Sequence, residues 1–270
     1  MKTGFIGSGN MAGAIIRGIV KNGINPADIY TYDLDKEKVA QLAGECGIKA
    51  ADSNEQIGEE CEVIVLAVKP HLIKGVLEGM RHTLNSEKQV LVSIAAGTSI
   101  EMLENFAGVE KMPVIRVMPN INVTVLQGIS SVCANKYVKA EQLEFVKNMF
   151  EKVGKVVELE ENFFGIFGAL AGSSPAFAYL FIESLAMAAH KAGMPKAKAV
   201  EIAAQAVLGS SAMVLESGKH PWELIDSVCS PGGTTIEGIF TLENNGFQAA
   251  VVKCIDACMA KDAAIMNKNK

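Results

Sequence analysis

The chain has 270 residues, 49% of them hydrophobic, with 30 acidic against 25 basic side chains and a net charge of −5. That length suffices for one large domain or two ordinary ones, with sizeable cores. An acidic balance without clustered Lys and Arg makes the chain a poor candidate for binding nucleic acid, whose phosphates require such clusters, and no such partner is expected.

The first part of the chain alternates β-rich runs with amphipathic ones. Residues 3–6, 29–32, 63–67, 90–94 and 114–118 read as strands, and residues 11–21, 36–46 and 72–84 read as helices between them. Strands separated by helices imply βαβ units, hence a parallel, doubly wound Rossmann-type sheet with helices on both faces. Runs at 129–134 and 156–159 flank a further helix at 140–152 and extend the same sheet. After about Glu160 the strand pattern stops. An apolar run at 163–170 leads into Ala171-Gly172-Ser173-Ser174-Pro175, where Ser173 or Ser174 can cap a helix with Pro175 in its first turn. Gly193 ends that helix, Pro195 opens one running towards Gly218, and Pro221, Thr234 and Phe247 mark further starts. The reading is an α/β fold in two domains: a dinucleotide-binding domain over residues 1–160, and an all-helical domain over residues 161–270. The helix at 175–191 is apolar on nearly every face and must be buried all round. A subunit interface provides that cover, so a homo-oligomer built from dimers is expected.

The six cysteines, Cys46, Cys61, Cys133, Cys229, Cys254 and Cys258, form no Cys-x-x-Cys pair, and no His stands at ligand spacing from them. No metal site is expected, and the thiols read as reduced and mostly buried. No charged leader precedes the first strand pattern, and the longest apolar stretches are broken by Glu183 or by glycines. The expectation is a cytoplasmic protein with no membrane partner.

The strongest local motif is Gly7-Ser8-Gly9-Asn10-Met11-Ala12, which follows a strand ending at Ile6 and opens a helix. In that context a Gly-x-Gly-x-x-Ala run binds a dinucleotide. Gly7 permits the tight turn, Gly9 lets the backbone approach the pyrophosphate, and Ala12 lets the helix pack on the strand. Free N–H groups at the helix start then face the anion. Asp33 ends the second strand, where an acidic side chain binds the adenosine ribose hydroxyls and repels a 2′-phosphate. The alternative is that Asp33 or Asp35 only caps the next helix. Asp33 leans towards NADH, and Lys36 and Lys38 lie near enough to soften that preference. Ligands of such sheets lie beyond the carboxyl ends of the strands. There the chain reads Ala67-Val68-Lys69-Pro70-His71, Ser93-Ile94-Ala95-Ala96-Gly97 and Met118-Pro119-Asn120. Lys69 reads as orienting the cofactor or a strand end, and His71 as structural.

In the helical domain, Ser230-Pro231-Gly232-Gly233-Thr234-Thr235 forms a loop before a helix start. Glycine-freed N–H groups and the helix start make a nest for a carboxylate, although spacing alone favours an ordinary capped turn. The run 228–236 resembles the signature of the pyrroline-5-carboxylate reductases. Phe5-Ile6-Gly7-x-Gly9-x-Met11-Ala12, Ala67-Val68-Lys69-Pro70, Ser93-x-Ala95-Ala96-Gly97, Arg116-x-Met118-Pro119-Asn120 and Gly172-Ser173-Ser174-Pro175-Ala176 match that family in order, over nearly the whole chain. The resemblance implies reduction of the C=N bond of 1-pyrroline-5-carboxylate to L-proline by NADPH or NADH. It implies a Rossmann domain and a helical domain that pairs with a partner's. It adds Asn54, Val68, Lys69 and Ala96 to the fingerprint as cofactor contacts. Ser230, Gly233 and Thr234 would hold the substrate carboxylate, and Thr235 would face the ring nitrogen as the catalytic group. Two positions depart: Ile121-Asn122 follows Asn120 where the family often has Thr-Pro, and Ile225 stands where a Lys is common. No general acid of suitable pKa is evident, so catalysis would rest mainly on positioning. A β-hydroxyacid reductase usually places a catalytic Lys in the helix joining the domains, and residues 163–175 contain none. A non-catalytic nucleotide sensor would not need the 230–235 loop.

Overall fold

The computed structural model describes residues 1–269. Their contacts group into two units, residues 1–172 with those from Met259 onward, and Ser173–Cys258. The first boundary lies past the expected 160/161 division. Residues 161–172 pack with the sheet-bearing unit: Phe164 and Phe167 are buried, and Glu161 pairs with Arg116.

In the first unit, β1 (Thr3–Ile6), β2 (Ile29–Tyr32), β4 (Val63–Leu66), β5 (Val90–Ser93) and β6 (Val114–Met118) fall where the apolar runs put them. Helices α1 (Asn10–Lys21), α2 (Lys36–Cys46) and α4 (Pro70–Met80) lie between them. Sequence periodicity missed α3 (Asn54–Glu60), α5 (Ile100–Ala107) and the two-residue strand β3 (Lys49–Ala50). Both helices are short and begin on serine caps: Ser53 Oγ accepts from the Gln56 N–H and Ser99 Oγ from the Met102 N–H, each at 3.2 Å. β3 is exposed and carries no alternation to read.

With β7 (Gly128–Ala134) and β8 (Gly154–Glu158), which flank α6 (Ala140–Glu151), the strands form one sheet in the order β3-β2-β1-β4-β5-β6-β7-β8. The sheet is not wholly parallel, because β7 runs antiparallel to β6. A parallel return needs a crossover of about a dozen residues or more. The link between β6 and β7 is shorter and holds only a 3₁₀ turn at Ile121–Val125. Alternate strand residues feed two cores. Phe5, Val63, Val65, Val90, Val92, Ile115 and Val117 pack on one face with Ile15, Ile16 and Ile19 of α1 and Phe150 of α6. Ile6, Ile64, Leu66, Leu91 and Val114 pack on the other with Ile57, Ile73, Leu77 and Leu103. Burial on both faces is what continuous Val/Ile/Leu strands specify.

The second unit holds α8 (Ser174–Lys191), α9 (Lys196–Ser217), α10 (Pro221–Val228), α11 (Thr234–Asn244) and the first part of α12 (Phe247–Asn269). All five starts agree with the Ser/Pro/Thr/Phe signals. The expected serine cap on α8 does not form. Ser173 has helical dihedrals and makes no side-chain cap bond, because α7 (Phe164–Phe167) and a π-helical turn at Gly168–Ser173 precede it directly. The expectation of no membrane-length stretch also fails, in the first case because α7 and the π-helical turn run on into α8. Glu161–Lys191 and Lys196–Ser217 are each long and apolar enough, by length and composition, to cross a membrane. Little of α8 and α9 is buried within the chain. Pro175, Ala186, Ala199 and Ala203 are, whereas Leu180 is 68% and Leu215 67% exposed.

Candidate active site

The carboxyl ends of the central strands of the first unit lie in line. Ile6 is in register with Tyr32 and with Leu66, and Leu66 with Ser93. The turns that follow are stitched together by Gly7 N–H to the Tyr32 carbonyl (2.7 Å), Ala67 N–H to Ile6 (2.8 Å) and Ile94 N–H to Leu66 (3.2 Å). Gly7 has φ +106°, and a Cβ there would meet the Ala67 carbonyl oxygen at 2.8 Å, so the turn excludes any larger residue. A Cβ on Gly9, by contrast, would face open space. Gly9 is the N-cap of α1 and supplies no side-chain cap, which leaves the first-turn amides of Asn10, Met11 and Ala12 for an anion. Ala12 is buried against the sheet, as close packing requires.

Of the two carboxylates that the sequence offered as a cap, the structure uses Asp35. Asp35 caps α2 by accepting from the Lys38 N–H at 3.2 Å. Asp33 accepts from the Ser8 N–H at 2.7 Å with one oxygen and from the Asp35 N–H at 3.0 Å with the other. The glycine turn is locked further by the buried pair of Ser8 Oγ and Thr31 Oγ1, 2.9 Å apart. Thr31 escaped the sequence reading. Its signal was one buried hydroxyl in the strand Ile29-Tyr30-Thr31-Tyr32, beside the fingerprint.

Asn54 opens α3, beyond β3 at the same edge of the sheet, and its buried Oδ1 has no hydrogen-bond partner. An unsatisfied buried acceptor costs about 1–3 kcal/mol, which a ribose hydroxyl donating to it would offset. After β4, Ala67 and Val68 lead to Lys69, the N-cap of α4, with Pro70 at its first position. Lys69 and His71 are both exposed. After β5, Ala95 N–H bonds Ser93 Oγ at 3.3 Å, leaving Ala96 exposed ahead of Gly97 at φ +70°. Asn120 departs from the expected role. Its Nδ2 donates to the Ala171 carbonyl at 3.1 Å and its Oδ1 accepts from the Ile129 N–H at 3.2 Å, so its buried side chain braces the end of β6. The open helix start, the small residues and the orphaned Asn54 oxygen suit a dinucleotide.

In the second unit, α10 ends at Val228 and α11 begins at Thr234. Between them Gly233 N–H bonds the Ser230 carbonyl at 3.0 Å and Gly232 takes φ +68°. Gly233 caps α11 without a side-chain bond, so the first-turn amides of Thr234, Thr235 and Ile236 have no side-chain partner. Ser230 Oγ lies against Gly233, closer than a Cβ there would allow. Ser230, Thr234 and Thr235 are exposed within the chain. The loop therefore has the donors a carboxylate needs, with hydroxyls on either side. Among the described residues, no group of three or more metal-ligating side chains is gathered anywhere.

A family model described as "Pyrroline-5-carboxylate reductase dimerisation" matches residues 161–265, and one described as "NADP oxidoreductase coenzyme F420-dependent" matches residues 2–97. The pyrroline-5-carboxylate reductase of Escherichia coli (strain K12) is 42% identical over 261 residues, 96% of either chain. That of Methanosarcina acetivorans is 39% identical over 94% of either chain. Among solved structures, a pyrroline-5-carboxylate reductase from Coxiella burnetii is similar with a TM-score of 0.93 at 32% identity, and a pyrroline carboxylate reductase from Plasmodium falciparum with NADP bound at 0.88 and 32%. Each covers 98% of both chains.

Proposed function

This chain belongs to the pyrroline-5-carboxylate reductase family and reduces 1-pyrroline-5-carboxylate to L-proline, the last step of proline biosynthesis; we propose that it does so by gripping the substrate on the 230–235 loop and the nucleotide on the turn after β1. The observation that carries this division is the pair of helix starts, at α1 and α11, that both follow glycines and both lack side-chain caps. Two such anion sites in one chain suit a reaction between two anionic reactants.

The bound NADPH or NADH supplies the hydride for the imine carbon. The first-turn amides of α1 hold its pyrophosphate, Asp33 and Asn54 its ribose hydroxyls, and the Val68–Pro70 and Ala96 turns its remaining length. Ser230 Oγ and the amides of Gly233 and Thr234 hold the substrate carboxylate. Thr235 donates a hydrogen bond from its hydroxyl to the ring nitrogen, which must gain a proton as the C=N bond is reduced. No side chain on the loop is an acid of useful pKa, so the proton originates in water and Thr235 orients its delivery. Positioning supplies most of the rate.

The chain carries a dimerisation domain, and homodimers are the unit from which we build the oligomer. The apolar surface of α8 and α9 is what such a partner would cover, in place of a lipid bilayer. All six cysteines are free thiols, which suits the cytoplasm. The test is nucleotide oxidation followed spectrophotometrically with and without pyrroline-5-carboxylate. Turnover only with the imine, giving proline, is the expected result, and binding of NAD(P)H without turnover would refute the reading.

A further inference from the structure

The turn after β2 bears on which nucleotide the enzyme takes. Both oxygens of the Asp33 carboxylate are pinned, by the Ser8 N–H at 2.7 Å and the Asp35 N–H at 3.0 Å. These two bonds hold the group in place, and both donors are neutral amides, although Lys38 lies close enough to be stabilised by the Asp33 charge. A second carboxylate, Asp35, follows two residues on. A 2′-phosphate adds up to two negative charges and three acceptor oxygens, and sites that take one present an Arg or Lys. Among the cations on the neighbouring elements, Lys36, Lys38 and Arg17 are each engaged elsewhere. The Lys36 ammonium sits 4.7 Å from the Tyr32 ring centroid and donates to the Asp52 carbonyl at 3.3 Å. Lys38 pairs with Asp35 at 2.8 Å, a contact that holds the Asp35 carboxyl below its usual range. Arg17 on α1 pairs with Glu45 of α2 at 2.6 Å. In the free enzyme the two lysines that could offset the Asp33 charge are thus turned to other partners.

We propose that the Asp33 carboxylate, held by the glycine turn while its neighbouring lysines pair with other groups, makes this enzyme select NADH over NADPH. This rests on the reading that the turn after β1 binds the nucleotide. The carboxylate accepts from the 2′- and 3′-hydroxyls of an unphosphorylated ribose and repels the phosphorylated one.

The test is calorimetric titration of the full-length enzyme with NADH, NADPH, ADP-ribose and 2′-phospho-ADP-ribose. Tighter binding of the unphosphorylated member of each pair is expected, by about 10- to 100-fold for loss of a hydrogen bond to a charged group. Asp33→Asn keeps an oxygen for the Ser8 amide, gives up the bond from the Asp35 amide and removes the charge; it should bring both ratios towards one while the melting temperature of the free protein falls only slightly. Lys36→Ala and Lys38→Ala should leave the ratios within about twofold, because neither cation is free to meet a phosphate. NADPH binding as tightly as NADH to the unaltered enzyme overturns the inference but leaves the reductase reading standing. A fall in NADPH affinity alone in either lysine variant also overturns it. Failure of both nucleotides to bind removes the reading on which the inference depends.

Discussion

Removing the Glu161 carboxylate should loosen the segment that closes the first unit. One oxygen, Oε1, accepts from Arg116 Nη1 at 2.9 Å and from the Ile100 N–H at 2.8 Å. Arg116 lies on β6 with only 4% of its side chain exposed, and its guanidinium stacks 4.5 Å from the Phe164 ring centroid. In Glu161→Ala that cation stays buried without a counter-charge, a change that costs about 3–5 kcal/mol in a dry site. Glu161 is itself 32% exposed, so water can replace part of the lost contact, and a charge term of about 1–3 kcal/mol is the fair estimate. The orphaned Ile100 amide at the start of α5 adds about 1 kcal/mol. The sum, about 2–4 kcal/mol, corresponds to roughly 30- to 1,000-fold faster exchange of the Ile100 amide if that bond gates local opening. Native-state hydrogen exchange is the right assay, because a chain of two units in an oligomer need not unfold in one step. Glu161→Gln keeps an acceptor and should lose less than half as much. Unchanged exchange at Ile100 in Glu161→Ala would show that the pair is a surface contact and that β6 is held by packing alone.

Thr235→Ala should lower kcat/KM by about 5- to 150-fold, the worth of one hydrogen bond of 1–3 kcal/mol, mostly through kcat and with NADH affinity intact. Thr235→Ser should keep most activity, and unaltered kinetics in the alanine variant would remove Thr235 from the site. Light scattering at micromolar concentration should give a mass of at least twice the 28.7 kDa chain, and a stable monomer would refute the dimer. Burial, followed by the charge of Glu60, pushes the Cys61 thiol from its ordinary 9.0 up to about 12. Its folded-state pKa is raised, so its contribution to stability is whole below about pH 9 and is lost as pH climbs towards 12. The wild type should therefore lose more stability than Cys61→Ala over that window in urea titrations, and parallel losses would show that the thiol does not titrate there.

The sheet was legible because its central strands are buried on both faces. Runs such as Val63-Ile64-Val65-Leu66 admit few other readings, and the glycine turn after Ile6 needs the φ +106° that Gly7 adopts. What escaped was set by contacts rather than by periodicity. β3 is two exposed residues whose only reason to extend is its pairing with β2. The reversal of β7 follows from the shortness of its link to β6. Asp33 and Asp35 could not be told apart from spacing, since either could cap α2, and only the Ser8 amide assigns them. Asn120 stands where a cofactor contact was expected, but its partners, Ile129 and Ala171, are remote in sequence. The 230–235 loop was recognised through family resemblance. Its local chemistry matches any capped turn.

The helical unit makes assembly and catalysis one problem. A domain of its size is stabilised chiefly by apolar burial. Yet α8 and α9 bury little more than three alanines and a proline within the chain, and α10 and α11 bury no residue. Phe240, on the helix that begins at the proposed substrate loop, is 54% exposed. The Ser230–Gly233 turn is made by one backbone hydrogen bond, and the elements on either side of it lack a core of their own. A loop on such a scaffold is held to the tolerance that hydride transfer demands only when the scaffold is packed from outside. Burial of this apolar surface by a second copy supplies that packing. In the mechanism proposed here, which rests on positioning rather than on acid catalysis, the dimer contact would be as much a part of the proposed substrate site as the hydroxyl of Thr235.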